Sequence, residues 1–279
     1  MIGGSVSAAD PAVVSWTLRG PTRCTGVLIG PRTILTAAHC AVADADVPQL
    51  SVRFELGSEI TPVTRSVLSQ HPHPLWVRGV PRHDVMLLEL NEAVPQVEPL
   101  LLYPERITDA DIGRAVRVIA YGVTEAGTAN GLGVKRDAVM SVTRLSEFQL
   151  EAAQPGVQTC DGDSGAPGLM ATRGGEVEYV ATTVSAGNRT CDSLDFFARI
   201  DVEAAWISQT AAGWGDTIMS CANCEVSEPP AAGGCNCSNG VGALIWLVLL
   251  ALRTREPALA RARRSPRNPE TNRRSWMES

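Results

Sequence analysis

The sequence predicts an all-β fold, and three observations carry that expectation. Short runs rich in β-branched and apolar residues recur at 27–29, 33–36, 52–56, 85–90, 115–120, 177–184 and 196–200. Glycine, proline, asparagine and aspartate separate many of them, as in sandwiches and barrels rather than βαβ units. Helical spacing is confined to 201–211, where Val202, Ala205, Trp206 and Gln209 share a face and Asp201 is the expected N-cap.

These elements are expected to make one packed body. Two β-halves joined near 104–111 fit the lengths, and the helix is expected to close the barrel before it. Apolar residues make up 44% of the 279, enough to bury a core, which excludes disorder throughout.

After residue 212 the composition changes. Residues 213–238 hold Gly, Pro, Ser, Glu and Cys and read as a linker, 239–253 form a short apolar segment, and 254–279 an Arg-rich tail. Residues 241–252 are uncharged; as a helix they span about 18 Å, short of the roughly 30 Å hydrocarbon core. No domain-sized sequence surrounds them, so a membrane-inserted anchor or sorting segment fits better than a buried helix. The arginines behind it would stay in the cytoplasm. The net charge of −6 hides eight arginines against three glutamates in 253–279, which leaves the first 252 residues at −11. An acidic body excludes nucleic acid as a partner, because nothing in it neutralises phosphate.

Eight cysteines in such a body point to an exported, oxidising location. Cys24, Cys40, Cys160 and Cys191 lie in the body, and Cys221, Cys224, Cys235 and Cys237 in the linker. The linker set could hold zinc by its spacing, but disulfides or a processing site suit an exported chain better. The chain opens with neither the basic start nor the apolar run of an export signal, which conflicts with the cysteines.

Peptide hydrolysis by serine needs an exposed hydroxyl, an imidazole to take its proton, and a carboxylate to hold that imidazole's tautomer. It also needs backbone N–H groups aimed at a developing oxyanion, which favours glycine beside the nucleophile. Cys160-Asp161-Gly162-Asp163-Ser164-Gly165 supplies such a serine, Thr36-Ala37-Ala38-His39-Cys40 an imidazole, and His83-Asp84-Val85 a carboxylate opening an apolar run. Singly, each has a plain structural reading: a turn, a satisfied histidine, a strand-entry cap. Their joint occurrence in this order does not. The other histidines, His71, His73 and His83, read as structural, with His71-Pro72-His73-Pro74 in a surface loop.

These segments resemble the chymotrypsin/trypsin family of serine proteases over about residues 2–210. The resemblance includes Ile2-Gly3-Gly4 as a mature amino terminus and the order His, Asp, Ser, which subtilisin-like and α/β-hydrolase enzymes do not share. It implies two six-stranded antiparallel β-barrels, about 2–105 and 106–212, with the site in the cleft between them. Ser164 would be the nucleophile of a serine endopeptidase, His39 its base and then acid, and Asp84 the partner that orients His39. The N–H groups of Gly162 and Ser164 would form the oxyanion hole. Cys24 would pair with Cys40 and Cys160 with Cys191.

The resemblance also places substrate contacts. Ser185 and Gly187 would bind the peptide backbone as an added strand, and Gln158 and Asp195 would lie on the floor and wall of the specificity pocket. With Gln158 replacing the usual floor aspartate, an inward Asp195 would favour basic side chains. A freed Ile2 ammonium would insert beside Asp163, which implies an export signal and propeptide cut before Ile2. That ammonium's pKa is expected above its free value. Ala166 stands where glycine is usual, so its methyl group is expected to crowd the site. A protein or peptide substrate, a monomer, no cofactor and no metal are expected. The alternative is a catalytically silent protease fold used for binding or adhesion. Residues 233–267 also resemble the sorting tags of myxobacterial surface proteins.

Overall fold

In this computed structural model the described residues are 1–57, 60–80, 82–188 and 190–218. The apolar segment 239–253, the Arg-rich tail, most of the expected linker and Cys221, Cys224, Cys235 and Cys237 lie outside them.

After a two-residue strand β1 (Ser5–Val6), six strands follow: β2 (Val13–Leu18), β3 (Thr22–Gly30), β4 (Thr33–Thr36), β5 (Leu50–Phe54), β6 (Val63–Pro72) and β7 (Met86–Leu90). They close into a barrel in the order β2-β3-β4-β7-β6-β5, every pairing antiparallel. On its strands Trp16, Leu28, Leu35, Phe54, Leu87 and Leu88 are all fully buried, within the barrel or against its neighbours. Each such side chain contributes about 1.5–3 kcal/mol of burial free energy. A second closed barrel runs β8-β9-β10-β13-β12-β11, from β8 (Ala115–Ala120), β9 (Arg136–Leu145), β10 (Gln149–Ala153), β11 (Pro167–Ala171), β12 (Glu178–Ala186) and β13 (Asp195–Arg199). β1 pairs with β9, Ser5 opposite Asp137, so the first residues belong to the second barrel and not to the first.

The register of the first barrel builds part of the site. Thr36 of β4 lies opposite Met86 of β7. His39, three residues past Thr36, and Asp84, two before Met86, therefore leave adjacent strands at the same end.

The closing helix α1 (Ile200–Ala212) exists, with two differences from the expected one. Arg199 is its N-cap; Asp201 sits in the first turn, accepting from Arg199 Nη2 at 2.7 Å and from the Ile107 N–H at 3.1 Å. Its buried face is Ile200, Glu203, Ile207 and Ala211 instead of the stripe from Val202 to Gln209. Gly213 does not end the packed chain: Trp214 donates to Thr33 Oγ1 at 3.1 Å, and Asp216 accepts from the Arg32 N–H at 2.7 Å.

Candidate active site

Asp84 is buried and both of its oxygens are engaged. Oδ1 accepts the backbone N–H of His39 at 2.8 Å, and Oδ2 meets His39 Nδ1 at 2.7 Å and accepts the Ser185 hydroxyl at 2.6 Å. Two bonds from one residue fix both the position and the ring plane of His39. With Nδ1 donating to a carboxylate, Nε2 is left as a base. His39 and Ser164 line the same cavity, of about 280 Å³.

The Ser164 loop is shaped by its glycines. Gly162 and Gly165 have φ of +90° and +78°, where a side chain is strained. A Cβ on Gly165 would also fall 2.1 Å from Thr36 Oγ1 and 2.5 Å from the Thr25 carbonyl oxygen. The loop is thus pressed directly onto the strands that carry His39. Thr25 ties the two together: its N–H donates to the Ser164 carbonyl and its hydroxyl to the Gly162 carbonyl, each at 2.9 Å. With those carbonyls turned toward β3, the N–H groups of Gly162 and Ser164 have no hydrogen-bond acceptor among the described residues. Cys24–Cys40 and Cys160–Cys191 are disulfides, with Cα separations of 6.5 and 5.4 Å; they brace the histidine segment and the cavity wall. A bridge across about 15 residues is worth near 3 kcal/mol in the chain-entropy picture.

The Trypsin family model matches residues 2–207. The chain belongs to the trypsin family. Human Serine protease 56 is 24% identical over 258 residues, covering 82% of this chain and 42% of that one. Human Kallikrein-15 is 26% identical over 233 residues, 72% of this chain and 86% of that one. Human Kallikrein-10 reaches 32% over 170 residues, 52% and 59% of the two chains. The chain spans less than half the length of Serine protease 56. These relatives support the function class of a serine protease hydrolase.

In this trypsin-family chain the Met1 ammonium meets Asp163: its nitrogen lies 3.1 Å from Oδ2 and 2.7 Å from the Val123 carbonyl oxygen. Ile2 is held one residue further along, exchanging backbone bonds with Gln158 at 2.9 and 3.1 Å. Both ends of the Met1 pair are fully buried, and Asp163 also accepts the N–H of Gly122 at 2.7 Å and of Cys160 at 2.8 Å. Burial holds the Met1 ammonium below its ordinary value, opposing the pull of Asp163. The same burial raises the Asp163 carboxyl. The Ala166 methyl group, expected to crowd the site, is instead buried in the core of the second barrel and does not line the cavity.

The cavity is lined by Thr159, Asp161, Ser185, Ala186, Gly187 and Asn188 beside His39 and Ser164, and among the described residues by no lysine or arginine. Ser185 and Gly187 line the cavity, and the Ser185 hydroxyl donates to Asp84. Gln158 and Asp195 are not among the lining residues. Gln158 turns its amide to the Ser193 carbonyl. Asp195 points inward and is fully buried beneath Thr159, accepting its N–H at 3.2 Å and its hydroxyl. It also backs onto the pocket wall: a Cβ on Gly187 would sit 3.5 Å from Asp195 Oδ1. Burial pushes this carboxyl above its ordinary value, against the bonds from Thr159. Sequence reasoning missed Thr25, Thr36 and Thr159, which carry no motif of their own. It also placed His73 on the surface. That side chain is buried, and with His83 it faces Glu203 of α1.

Proposed function

We propose that this chain is a serine endopeptidase that works through an acyl-enzyme on Ser164, with His39 and Asp84 completing the triad. The observation that carries the reading is the double grip of Asp84 on His39, beside a serine loop with two unbonded N–H groups. Ser164 Oγ attacks the scissile carbonyl carbon while His39 Nε2 takes its proton. The oxyanion is met by the N–H groups of Gly162 and Ser164, each worth about 2.7–4 kcal/mol. The C–N bond then breaks, and His39 returns the proton to the departing amine. Water, deprotonated by His39, attacks the ester, and Ser164 leaves with the proton restored. Asp84 stays ionised and holds the tautomer throughout.

The substrate in this reading is a protein or peptide lying along Ser185–Gly187 as an added strand. A basic side chain before the scissile bond would enter the acidic cavity towards Asp195. The enzyme is exported and works as a monomer; residues 239–253 hold it at the cell surface. Fluorophosphonate labelling separates enzyme from silent binding module. We expect stoichiometric modification of Ser164, and about a 10⁶-fold loss of peptide hydrolysis in Ser164→Ala or His39→Ala, with no further loss in the double variant. An unlabelled native protein would end this reading.

A further inference from the structure

The mechanism leaves one buried titratable cluster unused. Glu203, on α1, is 3% exposed although acidic. Its Oε1 lies 2.9 Å from His83 Nδ1 and its Oε2 lies 3.4 Å from His73 Nε2. The three ligand atoms fall within 4.8 Å of one another, the spread of a small cation site. Two details favour hydrogen bonding instead. His73 Nδ1 accepts the Leu75 N–H at 3.2 Å, so this ring carries its proton on Nε2, the atom that faces Glu203. The two imidazoles also stack, 4.5 Å apart and 9° from parallel. Their in-plane nitrogens therefore run side by side, which suits the two oxygens of one carboxylate and not convergence on a single ion.

What these histidines hold is the segment that carries Asp84. His83 directly precedes it, with φ of +54°, a turn that non-glycine residues seldom take. The His73 N–H donates to the carbonyl of Val85, the residue after Asp84, at 2.9 Å. Glu203 thus reaches both sides of Asp84: through the His83 side chain on one, and through His73 and its backbone bond on the other. Trp206, one turn along α1, packs on His73 at 4.6 Å. We propose that Glu203 is a positioning residue: through His73 and His83 it holds Asp84 at the height His39 requires. α1 follows the second barrel in the chain, while Asp84 borders β7 of the first. The contact therefore sets the first barrel's part of the triad from an element outside it. The inference rests on the peptidase reading above.

The test compares Glu203→Ala, Glu203→Gln and His83→Gly with wild type, using full-length protein and a chromogenic peptide substrate. Turnover is expressed per active site titrated with a fluorophosphonate, so unfolded molecules do not count. Glu203→Ala is expected to lower kcat per site about tenfold with KM within twofold. Glu203→Gln should regain most of that. Its oxygen still accepts from His73, and its amide can donate to His83 in the other tautomer. His83→Gly keeps the turn without strain while deleting one arm, and should lose kcat like Glu203→Ala; it supplies the answer if Glu203→Ala does not fold. A kcat per titrated site within twofold of wild type in the folded deletion variants, whatever their melting temperatures, overturns the positioning role and leaves the peptidase reading intact. A wild type that the probe does not label overturns the peptidase reading itself, and this inference with it.

Discussion

Replacing Asp195 by asparagine tests the specificity pocket most directly. The carboxylate is fully buried, and its protein partners are Thr159 and Gln158 rather than a cation. A guest ammonium or amidinium about 4 Å away would gain roughly 4 kcal/mol at an effective dielectric constant near 20. Part of that is lost to the guest's own desolvation, so a difference of about 10²–10³-fold is expected. Benzamidine inhibition should weaken by that factor in Asp195→Asn. Cleavage after arginine and lysine in a peptide library should fall alongside it, and cleavage after neutral residues should not. Stability should move the other way. Burial raises the folded-state value of Asp195 above its ordinary 3.8, so the native protein holds this proton more tightly than the unfolded chain does. The contribution of Asp195 is then full below the ordinary value and lost as pH rises through the folded one. Asp195→Asn should gain on wild type in thermal melts as pH rises through that window. An unchanged cleavage profile and unchanged benzamidine affinity would refute the wall-charge argument, leaving Thr159 and Asp161 to set a polar, uncharged preference.

Removing the Ser185 hydroxyl deletes a 2.6 Å bond to Asp84 Oδ2. Bonds to charged groups are worth about 1.5–3 kcal/mol, and His39 still grips Asp84 twice, so Ser185→Ala should lower kcat about tenfold with KM little changed; equal kinetics would show the bond idle. Gly165→Ala puts a methyl group 2.1 Å from Thr36 Oγ1 at a positive φ, so it should cost at least about 3 kcal/mol in a thermal or denaturant melt. A variant that melts with wild type contradicts the packing of the two loops. Deleting residues 235–279 should release active enzyme into the aqueous phase of a detergent partition, and identical partitioning of full-length and truncated protein removes the anchor.

Much of this fold was legible because many strands are apolar on consecutive residues. β4 is buried at all four positions, and β7 at four of five. Strands β6 and β9 escaped because they are long and turn many polar residues to solvent, so no apolar run marks them. That also explains the misplaced histidines: His71 and Pro72 end β6, opposite Leu87 and Met86, and carry His73 inward. The residues of the proposed triad could be picked out because short-range chemistry demands particular neighbours around each one.

Hydropathy by itself hides one class of residue, including some that the motifs reveal. Among the described residues six acids are buried: Asp84, Asp111, Asp163, Asp195, Glu203 and Asp216. Hydropathy assigns every one of them to the surface, because an isolated carboxylate is too costly to bury. Asp111 and Asp216 follow the usual remedy, with Arg114 and Arg173 on the first and Arg32 on the second. The other four have no arginine or lysine. Asp84 has an imidazole and a hydroxyl, Asp163 an ammonium at a chain terminus, Asp195 a threonine, and Glu203 two stacked histidines. Each of these partners is weaker than a guanidinium or can give up its proton more readily, so each acid keeps unspent capacity to hold a cation or steer an imidazole. In the peptidase reading proposed above, Asp84 would orient His39, Asp195 would charge the pocket and Glu203 would brace Asp84 from behind. Local rules of burial are broken where the chemistry needs them broken, and in this chain a buried acid without a guanidinium separates the site from the scaffold.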